Sequence, residues 1–279
     1  MFYKEIDTLE EVPSFDIERL QLYDSYQNVV PNTHVLRNIA NGHHLGVVSD
    51  RYRPIQLDEM LDIFKNVFKE YDISPLGYAI IDHGKLVVIQ SEIDFSSHFD
   101  QGDDVYDTYI YAIIDNTGKG ANKFIASTIR TVCTNALNVV NKGAKFTLRH
   151  SMNFDEKVST SLKQMSQTLE NFAMFGETVN AFRNLLFSEA QMEGFAKVLI
   201  PSDEHKQNML IHLFKNGIGT NGETKYDALN AVTEFDTHFS GRKTKTLKTH
   251  VRKLINSSLS SNAFKLLNTN RDFMHEEQS

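Results

Sequence analysis

The sequence of residues 78–93 is Tyr78-Ala-Ile-Ile-Asp-His-Gly-Lys-Leu-Val-Val-Ile-Gln-Ser-Glu-Ile93. Two runs rich in β-branched residues flank Asp82-His-Gly84, and the glycine can adopt the positive φ that a tight hairpin turn requires. A further run of the same kind extends from Asp107 to Ile114 and follows an acidic loop. These patterns predict a β-hairpin followed by a third antiparallel strand.

The residues before this hairpin predict a strand and a helix. Leu45 to Gln56 is β-rich, contains a Ser-Asp pair suited to a turn or bulge, and carries Arg51 and Arg53. Leu57 to Tyr71 then has apolar side chains at helical spacing on one side and mainly acidic side chains on the other. We therefore expect a basic strand followed directly by an amphipathic helix.

The segment from Lys123 to Asn141 predicts a helix with a polar face. Its apolar residues recur at helical spacing; they are Ile125, Ile129, Val132, Cys133, Ala136, Leu137 and Val140. The opposite face carries Lys123, Ser127, Arg130, Thr134, Asn138 and Asn141. These six positions fall in a strip roughly 80° wide, and each side chain can hydrogen-bond a phosphate oxygen. A solvated helix face is the alternative interpretation, but such a face normally mixes both charge signs.

The predicted fold class is α+β. We expect an antiparallel β-sheet in the order strand, helix, three strands, helix, with a packed basic-faced helix, followed by a mostly α-helical C-terminal region. The predicted domains are an acidic, partly helical lead-in at residues 1–30, an α+β core at 31–153, and a helical region at 154–279 with a basic segment at 242–253. In the helical region, Ser188 and Pro201 mark the starts of separate helices.

Charge is strongly segregated along a chain whose net charge is −7. Residues 116–154 contain no Asp or Glu but six Lys or Arg, and residues 237–271 contain no Asp or Glu but eight. Acidic residues are concentrated elsewhere, above all in residues 86–118, which lack Lys and Arg. Such asymmetry indicates a local polyanion site on an acidic protein. The basic and acidic tracts can also neutralise each other within the fold or between subunits.

The sequence offers little support for catalysis. It has no P-loop and no dinucleotide-binding glycine motif, and its histidines do not have metal-ligand spacing. The Asp155-Glu-Lys157 triplet is of the type that a metal nuclease uses, but such triplets are common in acidic proteins. We therefore expect no enzyme activity, no cofactor and no metal. The absence of a membrane-length apolar run, the lack of a signal peptide pattern and the single cysteine predict a cytoplasmic protein with no membrane partner.

The predicted order of elements resembles the single-strand annealing fold of the Rad-fifty-two superfamily. Local sequence is similar to a phage and plasmid family catalogued as domain of unknown function 932. That similarity rests on Gly46-Val-Val-Ser-Asp-Arg-Tyr-Arg-Pro-Ile-Gln56, Arg130-Thr-Val-Cys-Thr-Asn-Ala-Leu137, Leu148-Arg-His150, Gly219-Thr and Asn230-Ala-Val-Thr-Glu234. The resemblance implies a phage or mobile-element protein in a bacterial host. It also implies that Arg51 and Arg53 lie on a basic strand at the nucleic-acid backbone, and that Lys123 and Arg130 lie on the helix that lines a groove.

The leading hypothesis is an ATP-independent single-stranded DNA-binding and strand-annealing recombination protein that acts as a homo-oligomeric ring or helical filament. RNA and an annealed duplex intermediate are the other nucleic acids that such a groove accepts. The candidate nucleic-acid-binding residues are Arg51, Arg53, Lys119, Lys123, Arg130, Thr134, Lys142, Lys145 and Arg149. The alternative hypothesis is a protein-binding module that antagonises a host factor through the acidic loop at residues 92–107.

Overall fold

A computed structural model describes residues 4–94, 106–130, 136–138, 153–239, 259–269, 271 and 273–274. The strands are β1 (Lys4–Glu5), β2 (Ile17–Tyr23), β3 (Val29–Asn38), β4 (His44–Ser49), β5 (Ser74–Ile81), β6 (Leu86–Glu92), β7 (Tyr106–Asp115), β8 (Lys123–Arg130) and β9 (Ala136–Asn138). The helices are α1 (Leu57–Glu70), α2 (Phe154–Phe182), α3 (Glu189–Leu199), α4 (Glu204–Asn216), α5 (Lys225–Glu234), which continues as a π-helical segment (Phe235–Phe239), and α6 (Leu259–Leu267).

The strands form two antiparallel sheets, and the α+β class with a helical C-terminal region is confirmed. The larger sheet has the order β1-β5-β6-β7-β8-β9, and the smaller sheet has the order β2-β3-β4. The predicted hairpin is present, because β5 pairs with β6 from Ser74↔Glu92 to Ile81↔Leu86. Gly84 in its turn has a φ of 103°, as the hairpin pattern required. β6 then pairs with β7, which is the predicted third strand.

The chain divides into two compact units, the first containing residues 1–93, 109–125 and 141–169 and the second containing residues 94–108, 126–140 and 170–279. In the first unit, helix α1 forms the core contact with the larger sheet. Met60, Ile63, Phe64 and Val67 on its apolar face are fully buried, each contributing about 1.5–3 kcal/mol from the area removed from water. The rings of Phe64 and Phe124 lie 5.1 Å apart. The apolar spacing predicted this helix, which begins at Leu57 as expected.

The second unit contains the helical region from residue 170 onward. Ser188 begins α3 with a capping box, in which its side chain accepts a hydrogen bond from Gln191 N and the Gln191 side chain accepts one from Ser188 N. Edge-to-face rings of Phe187, Phe195 and Phe273 form part of the core. Helix α3 begins directly after Ser188, as predicted, and α4 begins at Glu204, the last residue of the predicted Pro201-Ser-Asp-Glu opening.

The predicted helix from Lys123 to Asn141 is wrong over the residues that the structure describes. Residues 123–130 form strand β8 and residues 136–138 form strand β9, which pair antiparallel. Phe124, Ile125, Ala126 and Ser127 are all at most 5% exposed. A strand buried on both faces has no polar alternation, so its apolar residues also fitted a helical spacing. The basic-faced helix is therefore absent at these positions, and Lys123 and Arg130 are the first and last residues of a strand.

The predicted strand from Leu45 to Gln56 is only half correct. Strand β4 ends at Ser49, and a turn at Asp50 and Arg51 leads into an irregular segment that ends at α1. The Ser49-Asp50 pair therefore lies where the strand ends and a turn begins, and no strand continues after it. Arg51 and Arg53 consequently lie on a loop and not on the basic strand that the resemblance implied. The acidic lead-in likewise contains strand β2, because Ile17 to Tyr23 pairs with β3.

Candidate nucleic-acid interface

The loop that carries Arg51 and Arg53 is held at both ends by side chains. We define the β4–α1 loop as residues 50–56. At its start, the Arg19 guanidinium of β2 donates from Nη1 to Asp50 O and, over 3.0 Å, to Tyr52 O. At its end, Gln56 Oε1 accepts from Ile17 N at 2.8 Å and Gln56 Nε2 donates to Ile17 O at 3.0 Å. The loop backbone is therefore fixed against β2, and the side chains of Arg51 and Arg53 are exposed.

The turn that carries Lys119 is organised around a carboxylate. We define the β7–β8 turn as residues 116–122. The Asp115 carboxylate accepts hydrogen bonds from Thr117 N at 2.9 Å and from Thr117 Oγ1 at 2.5 Å. Asn122 Oδ1 accepts from Asp115 N at 2.8 Å and closes the turn. Asp115 thus stabilises the turn from within, while Lys119 at its tip is exposed.

The β4–α1 loop and the β7–β8 turn are in contact. A Cβ atom added to Gly46 of β4 would lie only 2.0 Å from Thr117 O. A Cβ atom added to Gly118 would lie 2.3 Å from Val48 Cγ1 and 3.4 Å from the ring of Tyr52. Both positions therefore require glycine: Gly46 lets β4 approach the backbone of the turn, and Gly118 lets the turn approach Val48 and the Tyr52 ring. The contact places Lys119 on a segment that packs against the segment carrying Arg51 and Arg53, and we call these three residues the basic rim.

Tyr52 lies between the basic rim and a small cavity. The cavity has a volume of about 20 Å³ and is lined by Ile17, Tyr52, Pro54, Ile55, Met60, Ile114, Asp115, Asn116 and Asn122. Burial raises the pKa of the Tyr52 phenol above its usual value, and the neighbouring Asp115 carboxylate raises it further. Tyr52 is therefore a neutral phenol at physiological pH. Since the cavity has room for about one water molecule, it is too small to hold a nucleotide.

Three of the nine predicted site residues lie on segments that contact each other: Arg51 and Arg53 on the β4–α1 loop, and Lys119 on the β7–β8 turn. Lys123 is half-buried at the start of β8, and Arg130 is the last residue of that strand. The other predicted site residues lie outside the described residues; they are Thr134, Lys142, Lys145 and Arg149. The basic segment 242–253 and most of the acidic loop, residues 95–105, also lie outside them.

Sequence reasoning missed the residues that position the rim. Arg19 contacts carbonyl groups 31 and 33 positions away along the chain, so no local pattern could reveal it. Gly46 is the detectable signal, because a glycine inside a strand pattern indicates a close approach of another backbone. The sequence alone does not say which segment makes that approach.

Two residues of the Asp155-Glu-Lys157 triplet, Glu156 and Lys157, have structural roles in the first turn of α2. Lys157 is buried and forms an ion pair with Glu59 of α1. Glu156 and Asn153 form reciprocal hydrogen bonds between side chain and backbone, which cap the helix. Across the described ranges, no group of three or more His, Cys, Asp and Glu residues is arranged to hold a metal ion. No helix in the same ranges is long and apolar enough to cross a membrane.

Comparison with known proteins gives one match. A family model described as domain of unknown function (DUF932) matches residues 44–258, which is more than half of the chain. The matched range begins at β4 and includes all three residues of the basic rim. No curated protein and no solved structure matches the chain.

Proposed function

Since this chain belongs to the family described as domain of unknown function (DUF932), and since its basic rim presents exposed cations, we propose that it binds single-stranded DNA. In this proposal it anneals complementary strands without ATP, as a homo-oligomeric ring or filament of phage or plasmid type in the bacterial cytoplasm. RNA or an annealed duplex intermediate would occupy the same surface.

The observation that carries the proposal is that Arg51 and Arg53 lie on a loop that contacts the turn carrying Lys119. Within the described part of the chain, none of the three side chains forms a hydrogen bond or an ion pair, and all are exposed. Exposed guanidinium and ammonium groups on a fixed backbone are suited to phosphate oxygens. The rim occurs on a protein of net charge −7, where most basic side chains would be expected to find an acidic neighbour.

Two further features favour a single strand. A surface that binds phosphates leaves the base edges free to test complementarity, and annealing then needs no nucleotide hydrolysis. The neutral, half-buried Tyr52 ring lies between the two arginines in sequence, and aromatic rings beside a basic surface commonly stack on unpaired bases. The order β4, α1, β5, β6 and β7 follows the strand, helix and three-strand part of the order that the resemblance implied, but the next element is strand β8 in place of the expected helix.

Fluorescence anisotropy with an oligo(dT) probe across a salt series tests DNA binding. Each phosphate contact contributes about 0.7 to the slope of log affinity against log salt on a single strand, so three contacts predict a slope of about −2 per protomer. Affinity should then fall about 20-fold between 50 and 200 mM salt. The double variant Arg51→Glu and Arg53→Glu should lose most of the wild-type affinity. Any binding that it retains should show a shallower slope of log affinity against log salt than the wild type.

A matched control has the same change in net charge at the other end of α1. Lys69→Glu lies in the last turn of α1, and Lys163→Glu lies next to Leu162, whose carbonyl accepts a hydrogen bond from Tyr71 Oη at that end. This control should bind DNA within about twofold of the wild type, because screened charges at this distance contribute little. Equal loss in both double variants would attribute binding to net charge and overturn the assignment of the rim. Absence of binding at 50 mM salt would overturn the proposed function itself.

Annealing and assembly are tested separately from binding. Complementary fluorescent and quencher-labelled oligonucleotides should pair faster with the wild-type protein than without protein, in the absence of ATP and magnesium. Negative-stain microscopy should show rings or helical filaments with the oligonucleotide. Binding with no acceleration of pairing would reduce the activity to single-strand binding and contradict the annealing part of the proposal.

A further inference from the structure

The chain contains three Asn-Gly pairs, which are Asn41-Gly42, Asn216-Gly217 and Asn221-Gly222. In such a pair the backbone nitrogen of the glycine can attack the side-chain amide carbon of the asparagine, because glycine has no Cβ atom to obstruct the approach. All three asparagines are exposed. Exposure therefore does not distinguish the pairs, and the hydrogen bonds of each pair decide how freely its atoms can react.

The first pair is held by hydrogen bonds on both of its reacting groups. Gly42 N donates to Asn38 O at 2.8 Å. The side-chain amide of Asn41 donates from Nδ2 to His83 O at 3.1 Å, and its Oδ1 accepts from His43 N at 3.0 Å. Attack on Asn41 thus requires three hydrogen bonds to break, including the one that occupies the attacking nitrogen.

The second pair lies at the C-terminal end of α4 and is also held. Asn216 is the last residue of this helix, and Gly217 N donates to Leu213 O at 2.8 Å. Asn216 Nδ2 donates to His212 O at 3.2 Å. Attack on Asn216 thus requires two hydrogen bonds to break and the last turn of the helix to unwind.

The third pair has neither restraint. We define the α4–α5 loop as residues 217–224, which include this pair. Among the residues that the structure describes, none forms a hydrogen bond with Gly222 N or with the side-chain amide of Asn221. Both reacting groups are therefore available without the loss of a hydrogen bond within the protein.

Hydrogen bonds fix the α4–α5 loop on both sides of the third pair. Before the pair, Ile218 N donates to Glu234 Oε2 at 3.0 Å. After the pair, Thr224 N donates to Asp227 Oδ2 at 3.0 Å. Because these anchors lie outside residues 221 and 222, attack on Asn221 needs only a local motion of the loop and no unfolding of α4 or α5.

We propose that Asn221 is a site of spontaneous deamidation in the folded protein, and that the other two Asn-Gly pairs are protected. Gly222 N forms a bond with Cγ of Asn221 and loses its proton, while the C–N bond of the side-chain amide breaks and ammonia leaves with that proton. Water then opens the resulting five-membered imide. The product is aspartate when the new bond to Cγ breaks, and isoaspartate when the bond from Gly222 N to the main-chain carbonyl carbon breaks. The reaction needs no nucleic acid and no partner.

Deamidation changes both the charge and the main chain of the α4–α5 loop. Either product adds one negative charge next to the exposed Glu223 side chain, two positions away. Isoaspartate also inserts one methylene group into the main chain between the anchors at Ile218 and Thr224. Modified molecules should therefore separate from the original protein as a more acidic species on anion exchange.

Peptide mapping by mass spectrometry measures the reaction at all three pairs in one sample. The full chain is incubated at mildly alkaline pH, and the fraction of each asparagine converted into an acid is followed with time. Fragment ions distinguish Asn216 from Asn221, which share a tryptic peptide. Each hydrogen bond that has to break should slow the reaction by about fivefold, so Asn221 should react at least about tenfold faster than Asn41 or Asn216.

The unfolded chain and two variants are the controls. In guanidinium chloride the three pairs lose their hydrogen bonds and should react at similar rates. Asn221→Gln should abolish the acidic species, because glutamine would have to close a larger ring, whereas the matched variant Asn216→Gln should retain it.

Three results would overturn the proposal. The first is a folded protein in which Asn41 or Asn216 reacts as fast as Asn221. The second is a folded protein in which Asn221 does not react. The third is a ranking that stays the same in guanidinium chloride, since its cause would then lie in the local sequence and not in the hydrogen bonds of the fold.

Discussion

Replacement of Gly46 by alanine tests the contact on which the basic rim depends. The added Cβ atom would lie 2.0 Å from Thr117 O, whereas a carbon atom is normally 3.5 Å or more from such a neighbour. Relief of the clash requires β4 and the β7–β8 turn to separate by more than about 1 Å, and the obstructing atom belongs to the backbone. Overpacking costs typically 1–3 kcal/mol, and we expect about 2–3 kcal/mol here.

Equilibrium urea unfolding followed by circular dichroism measures this cost. Gly42→Ala is the matched control, because nothing lies within 4 Å of its added Cβ and only its φ of 73° opposes alanine. The control should lose about 1 kcal/mol from that left-handed backbone alone. Gly46→Ala should also weaken oligo(dT) binding at pH 7.5, since it separates Lys119 from Arg51 and Arg53. If Gly46→Ala unfolds within about 0.5 kcal/mol of the wild type, the β7–β8 turn does not pack on β4 and the rim is not a single surface.

Three other substitutions test separate parts of the structure. Lys157→Met leaves Glu59 without its ion pair, and because the Glu59 side chain is 32% exposed we expect a loss of about 1–2 kcal/mol in urea unfolding. Ser188→Ala removes the capping hydrogen bond of α3 and should cost about 1 kcal/mol by the same measurement. Since the pKa of folded Tyr52 is raised above 10.0, the folded state keeps a proton that the unfolded state loses, and stability should fall as the pH rises past this value. Tyr52→Phe should flatten that alkaline loss, whereas Tyr26→Phe, at an 84% exposed position, should not.

The parts of the fold that were predictable have local causes. The β5–β6 hairpin follows from two β-branched runs around Gly84, and α1 follows from apolar spacing that begins at Leu57. The start of α3 follows from the cap at Ser188. In each case the residues that determine the element lie within a few positions of one another, so sequence patterns contain the necessary information.

Strand β8 could not be predicted in the same way. Residues 124–127 are buried on both faces of the strand. The sequence there consequently lacks the alternation of polar and apolar residues that would have predicted a strand. Within this strand, Ile125 and Ile129 are four positions apart, which is also a helical spacing. A β-branched composition favoured a strand, but the neighbouring strands that bury it are specified elsewhere in the chain.

The candidate site was predictable in its chemistry and not in its geometry. Charge segregation selected Lys119, and the family resemblance selected Arg51 and Arg53. The contact between the segments that carry these residues depends on Gly46 and on the hydrogen bonds of Arg19. It also depends on the β7–β8 turn, which lies more than sixty residues further along the chain.

Photochemical cross-linking tests the central claim most directly. Oligo(dT) that carries 5-iododeoxyuridine at single positions is irradiated with the wild-type protein, and the modified peptides are identified by mass spectrometry. We expect modification of Tyr52 or other residues of the β4–α1 loop, together with the β7–β8 turn, and its loss when excess unlabelled oligo(dT) competes. Saturated binding with both of these segments unmodified would place the polynucleotide elsewhere and contradict the account.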